Sequence, residues 1–350
     1  MTDLGKAMQD YDPLGMFENI YRFPEQMEEA IKIGAEVNLS GDYSSIQSVV
    51  FCGMGGSAIG GDIVAALVSS SMNTSLSVIR NYTLPAWVGE ETLVICVSYS
   101  GNTEETLACF DEAKSRGAII AGISSGGELS KRLKQMDADL IAIPDGHPPR
   151  ASLGYLAIPG LFLLEKSGLL DYSVEEDLLK TAAHLKSWRD SFGEKGADNQ
   201  TLKVAETIYN SIPVIYGEAC GTGAVALRWR GQLAENGKMV SFHHVLPEMN
   251  HNEIVGYQNN PELLKRLGVI WLIDKDHHER TLKRQQLTRN ILGDNVRYQL
   301  EIVSEGDSLF ERFFYLIYFG DWVSFWVAML HKTDPSPVEK IDRLKRSLSV

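Results

Sequence analysis

The sequence predicts an α/β protein of two units, each a parallel sheet flanked by helices, joined by a helical connector. Two observations carry the units: short apolar runs alternate with helical stretches up to about residue 150, and the same alternation resumes after about residue 211. A third carries the connector, because the stretch between them has helical periodicity with few strand signals. Both units open on a strand that runs into a glycine-rich turn, Cys52-Gly53-Met54-Gly55-Gly56 in one and Tyr216-Gly217-Glu218-Ala219-Cys220-Gly221-Thr222-Gly223 in the other. That repetition favours a duplicated layout with pseudo-symmetric sites.

Taken in order, residues 1–45 form a helical lead-in, polar and amphipathic through about Val37. The first unit, 46–160, reads as strands Val49 to Cys52, Leu76 to Arg80, Leu93 to Val97, Ala118 to Ile123 and Leu140 to Ile143, with helices between. Helical periodicity covers Leu153 to Glu165, Val174 to Trp188 and Thr201 to Tyr209, and the connector is placed at 161–210. The second unit, 211–350, reads as strand Pro213 to Tyr216, a helix from Thr222 to Glu235, strand Val269 to Ile273, a helix near His278 to Ile291, strand Val296 to Ile302 and a long helix from Leu309 to Leu330, followed by a C-terminal helical segment.

A chain of 350 residues with 44% hydrophobic content buries a large core and is long enough for two domains. Its 33 basic and 46 acidic residues give a net charge of −13, which repels a nucleic-acid backbone, and no basic patch compensates. The N-terminus lacks a basic region followed by an apolar one, and no uninterrupted run approaches membrane-spanning length. Cys52, Cys96, Cys109 and Cys220 show neither a CxxC pair nor metal spacing, so reduced thiols are expected. These features predict a cytoplasmic protein with no nucleic-acid or membrane partner.

The chemistry concentrates at two turns. Ser98-Tyr99-Ser100-Gly101-Asn102-Thr103-Glu104-Glu105-Thr106 follows the apolar run Leu93 to Val97, so a strand empties into a hydroxyl-rich turn that opens a helix. Ser98, Ser100 and Thr103 then stand beside the N–H groups and positive dipole end of that helix, an arrangement that suits phosphate. Gly53-Met54-Gly55-Gly56-Ser57 supplies a second wall. Each turn alone is also what ordinary helix capping produces; two together, at the carboxyl ends of strands in an open sheet, mark a ligand crevice.

Gly53-Met54-Gly55-Gly56-Ser57-Ala58 also fits the dinucleotide pattern G-x-G-x-x-A, but the acidic ribose partner about 20 residues on is missing, and Arg80-Asn81 stands there instead. A Gly-x-Ser-x-Gly nucleophile elbow fails because Ile59 holds the last position. Pro148-Pro149 fixes the approach to Arg150, whose planar fork suits a developing oxyanion, though a surface arginine is the plainer alternative. Glu235 ends a helix just before Asn236-Gly237, where the helix dipole disfavours the ionised carboxylate and favours a general base; a solvated surface glutamate is again the plainer alternative. His251, between Asn250 and Asn252, suits a proton shuttle. His243-His244 nearby lacks any recognised zinc spacing, so no metal site is expected.

Together with Thr333-Asp334-Pro335-Ser336-Pro337-Val338-Glu339-Lys340, these motifs resemble the bifunctional phosphoglucose/phosphomannose isomerases, which are built from two sugar-isomerase (SIS) domains; the resemblance spans about residues 45 to 345. It implies a metal-free and cofactor-free aldose–ketose isomerisation of glucose 6-phosphate and mannose 6-phosphate with fructose 6-phosphate. It also implies that Gly55, Gly56, Ser57, Ser98, Ser100 and Thr103 surround the sugar phosphate, Arg150 stabilises the enediolate, and Glu235 is the base. His251 would open the ring from the neighbouring subunit of a homodimer, and Lys340 would be the active-site lysine, with Lys345 close by. Thr333 falls where conventional phosphoglucose isomerases carry a glutamine. Two rivals are a glucosamine 6-phosphate type isomerase, which needs an ammonia-supplying domain, and a non-catalytic sugar-phosphate sensor, which usually carries a DNA-binding head; the 45 residues before the first strand leave little room for such a head.

Overall fold

A computed structural model describes residues 3–194 and 198–348. In order, the elements are α1 (Asp3–Tyr11), α2 (Met16–Tyr21), α3 (Phe23–Glu36), β1 (Ser48–Cys52), α4 (Gly56–Val68), β2 (Ser75–Ile79), β3 (Thr92–Ser98), α5 (Glu104–Ser115), β4 (Ile119–Ser124), α6 (Gly127–Gln135), β5 (Asp139–Ala142) and α7 (Leu153–Lys166). There follow α8 (Glu175–Gly193), α9 (Gln200–Ile208), β6 (Ile212–Glu218), α10 (Gly223–Glu235), β7 (Phe242–Leu246), α11 (Pro261–Leu264), β8 (Leu267–Ile273), α12 (Glu279–Leu292), β9 (Gln299–Val303), α13 (Leu309–Leu330) and α14 (Glu339–Leu348). Two compact units emerge. The first holds Arg22–Lys186 and Gly306–Phe313; the second holds the residues up to Tyr21, Ser187–Glu305 and those from Phe314 onward. The lead-in and the 161–210 stretch are each shared between the units, the latter dividing within α8.

In the first unit, five parallel strands run in the order β2-β1-β3-β4-β5. Every residue of β3 is buried, as a parallel strand covered on both faces requires. Val50, Cys52, Val94 and Cys96 pack with Phe110 and Leu133 on one side of the sheet. The apolar helix α7 packs on α3 and α4, and Gly60 of α4 lies so near Leu156 that an added Cβ would stand 2.6 Å from its carbonyl oxygen. Cys52, Cys96 and Cys109 are buried free thiols, while Cys220 in the second unit is exposed.

The second unit has four parallel strands in the order β7-β6-β8-β9. Tyr216 and Trp271 stack in its core with ring centroids 4.8 Å apart. Sequence periodicity misses β7. Its residues Phe242-His243-His244-Val245-Leu246 mix histidines with apolar groups on a largely half-exposed edge, and only the pairing of Phe242 to Leu246 with Val214 to Glu218 makes them a strand.

Helix α13 corrects the expectation that no apolar run reaches membrane-spanning length. By length and composition its 22 residues suffice, yet 94% of its most apolar window is buried within the protein. It also carries Asp321, which receives two hydrogen bonds from buried Arg228, Nε at 3.1 Å and Nη2 at 2.6 Å, and one from Gln232 at 2.8 Å. This is the pattern of a core helix. Burial pushes the Asp321 carboxyl above the usual range, and Arg228 pulls against that shift.

Candidate active site

The strand order of the first unit reverses between β1 and β3, and their parallel direction brings the turn after β1 and the turn after β3 to one edge of the sheet. This is where an open α/β sheet binds ligands. The two turns touch: Tyr99 N–H donates to the buried Ser57 hydroxyl at 3.3 Å. The Ser98 and Thr103 hydroxyls are 2.8 Å apart. Thr103 occupies the N-cap of α5 but makes no capping bond with its side chain, and Gly55, at the N-cap of α4, has none to offer. Two helix starts therefore meet this edge without a side-chain cap, beside a cluster of hydroxyls, which is the chemistry of a phosphate site.

The third wall comes from a 3-10 turn, Pro149–Ala151. Arg150 is buried to 5% exposure, and its loop presses on the glycine turn, since a Cβ on Gly56 would stand 2.7 Å from the Pro149 carbonyl oxygen. Tyr99 ties the pieces together. Its hydroxyl accepts from His147 N–H at 3.0 Å, and its carbonyl accepts from the Ser125 hydroxyl at 2.6 Å. Gly55, Gly56, Ser57, Ser98, Ser100, Thr103 and Arg150 thus share one edge of the first unit. Ser100 is exposed and accepts from Asn102 N–H at 3.3 Å. Arg80, which stands where a dinucleotide site would need its acidic ribose partner, pairs with Asp62 of α4.

The remaining candidates lie in the second unit. Glu235 is half-buried at the last position of α10. Asn236 next to it is buried and donates to Ser324 Oγ at 3.0 Å. Lys238, with φ at +51°, turns back to donate to the Glu235 carbonyl at 2.6 Å, and also to the carbonyls of Pro335 at 3.0 Å and Pro337 at 2.5 Å. A cation there suits the negative end of α10, and it clamps Glu235 beside the segment that begins at Thr333. Thr333 itself is half-buried, its N–H closing α13 on the Ala328 carbonyl at 3.1 Å. Lys340 and Lys345 are both exposed on α14. Neither Lys238 nor Tyr99 stood out in the sequence, because their roles depend on partners far along the chain.

His251 is exposed at the end of a 3-10 turn, Glu248–His251. The loop after β7 borders a cleft of about 590 Å³ walled by Phe242, His243, His244, Glu253 and Tyr257. Among the described residues no group of three or more His, Cys, Asp or Glu is arranged to hold a metal ion.

The second unit has its own reversal, between β6 and β8. Its turn carries the buried Thr222 hydroxyl, which accepts from Glu218 N–H at 2.9 Å, and the Glu218 carboxylate, which accepts from Thr281 at 2.7 Å and pairs with His277 at 3.2 Å.

Residues 197–348 match the family described as bacterial phospho-glucose isomerase C-terminal SIS domain. The chain is 39% identical to the bifunctional phosphoglucose/phosphomannose isomerase of Caldicellulosiruptor bescii, over 95% of this chain and 99% of that one. It is 38% identical to the protein of the same name from Aquifex aeolicus, over 89% and 93%. The C-terminal domain of glucosamine-fructose-6-phosphate aminotransferase from Francisella tularensis shares the fold, with a TM-score of 0.70 at 17% identity over 92% of this chain and 98% of that one.

Proposed function

The chain belongs to the bifunctional phosphoglucose/phosphomannose isomerase family, and on that premise we propose that it interconverts glucose 6-phosphate and mannose 6-phosphate with fructose 6-phosphate. The observation that carries this reading is the first unit's edge, where two uncapped helix starts, the hydroxyls of Ser57, Ser98 and Thr103 and the Arg150 loop converge. Those hydroxyls, with Ser100 and the amides of Gly55 and Gly56, hold the phosphate; the Ser57 amide, expected beside them, donates instead to the Met54 carbonyl at 3.1 Å. That anchor, carrying about −1.5 to −2 charges at pH 7, positions C1 and C2.

His251, assisted by Lys340, opens the ring. Glu235 then takes the proton from C2 and returns it to C1 through a cis-enediolate, and Arg150 stabilises the oxyanion. The two aldoses differ only at C2, so abstraction there erases the difference between them. These roles ask nothing of a metal ion. We place His251 across the interface of a homodimer, which its exposure on a loop supports, and the enzyme in the cytoplasm, which its free buried thiols support.

Coupled assays with mannose 6-phosphate and glucose 6-phosphate test the reading. Wild-type protein is expected to turn over both and to keep both activities after exhaustive chelation. Glu235→Gln is expected to lose both while still binding fructose 6-phosphate, because a general base contributes about 10²- to 10⁴-fold. More than a tenth of wild-type turnover in that variant overturns the assignment of Glu235.

A further inference from the structure

We propose that Glu253 is a positioning residue for His251, its carboxylate fastening to the sheet the loop that presents the histidine for ring opening. The proposal rests on the reading of His251 as the ring-opening group. His251 is exposed, yet the residues around it are tied down. Asn250 donates to Thr288 of α12 at 2.8 Å, and Asn252 donates to Glu248 at 2.7 Å. Glu253, two residues on, is gripped at both oxygens: the Tyr216 hydroxyl donates to Oε1, and His244 Nδ1 lies 2.7 Å from Oε2.

Both grips come from strands. Tyr216 is fully buried in β6, stacked on Trp271, and its hydroxyl lies 2.6 Å from that of Tyr257. Burial, then the nearby Tyr257 and Glu253, push the Tyr216 phenol far up, so it stays protonated. Because its one proton goes to Glu253, Tyr257 donates the bond between the two phenols. His244 lies in β7. A relay from Tyr257 through Tyr216 to Glu253 therefore moors an exposed loop to the buried core. Proton transfer needs donor and acceptor within hydrogen-bond reach, and a misplacement of about 1 Å costs about 10²-fold.

The test isolates ring opening. In a Glu235→Gln background, where C2 proton abstraction is disabled, exchange between the anomers of glucose 6-phosphate is followed by NMR and corrected for the spontaneous rate. Adding Glu253→Ala is expected to lower catalysed anomer exchange about tenfold or more, with fructose 6-phosphate affinity unchanged by calorimetry. Glu253→Gln, which keeps an acceptor for Tyr216, is expected to recover part of it.

Tyr216→Phe removes the mooring while keeping the carboxylate, and is expected to lower exchange several-fold; it decides the matter if Glu253→Ala does not fold. Anomer exchange that survives both variants overturns the proposal. So does parallel loss of exchange and phosphate affinity, which marks a general structural defect. Exchange that persists in His251→Ala overturns instead the reading of His251 on which the proposal stands.

Discussion

Gly56 lies so close to Pro149 that an added Cβ would stand 2.7 Å from its carbonyl oxygen and 3.4 Å from the Arg150 amide nitrogen. Backbone meets backbone there, so no side chain can swing aside to make room. Gly56→Ala is expected to displace the Arg150 loop, lowering kcat for both aldoses by about tenfold or more and costing about 1 to 3 kcal/mol of stability. An unchanged kcat means that the arginine loop tolerates the shift and that its contact with the glycine turn does not position Arg150.

Ser57→Ala and Ser100→Ala test the phosphate site. Each lost bond to a charged phosphate oxygen costs about 1.5 to 3 kcal/mol, so calorimetry should show at least tenfold weaker binding of fructose 6-phosphate in each variant. Ser57 also accepts from Tyr99 N–H, so its loss loosens the junction of the two turns and should be the costlier of the two. Unchanged affinity in the double variant moves the phosphate elsewhere.

Thr333 closes the end of α13 and lies five residues before Val338 on the segment clamped by Lys238. Thr333→Gln installs the bulk of the conventional isomerases, and mannose 6-phosphate turnover is expected to fall more than glucose 6-phosphate turnover. A shift of about tenfold in their ratio corresponds to about 1.4 kcal/mol in the transition state. Equal losses with the two substrates mean that Thr333 does not set epimer tolerance.

Arg228→Met strips Asp321 of its cation inside the core and is expected to cost about 3 to 5 kcal/mol in urea unfolding. Burial already raises the Asp321 carboxyl, and losing Arg228 raises it further. The folded state then binds a proton more readily than the unfolded one, so the deficit should shrink as pH falls through the raised folded value toward about 3.9. Adding Asp321→Leu should recover much of the stability at neutral pH.

Asp139 shows the opposite sign. Burial pushes its carboxyl up, but hydrogen bonds from the Tyr43 hydroxyl at 2.6 Å, Ser40 N–H at 2.8 Å, Gly41 N–H at 2.9 Å and the Ser40 hydroxyl at 2.8 Å together hold it below the usual range. Its contribution is complete above the unfolded value of about 3.9 and is lost as pH falls through the lower folded value. Asp139→Asn is expected to cost about 1 to 3 kcal/mol at pH 7 and to flatten the acid limb of the stability curve.

The alternation of elements, the buried strand β3 and both hydroxyl turns are legible in the sequence, because each is written within a dozen residues. An apolar run followed by Gly, Ser or Thr and then a helical period specifies strand, turn and helix by local preference alone. Their meeting at one edge also follows from the sequence once parallel strands are accepted, since each turn leaves the same end of its strand. Tertiary structure decides what depends on distant partners. Strand β7 exists because β6 pairs with it, Lys238 reaches carbonyls almost a hundred residues away, and Glu253 finds Tyr216 and His244 from other strands. Glu218 in the second glycine-rich turn finds His277 almost sixty residues on. Local periodicity records which face of an element is buried; which polar group is met there is settled only when the chain closes on itself.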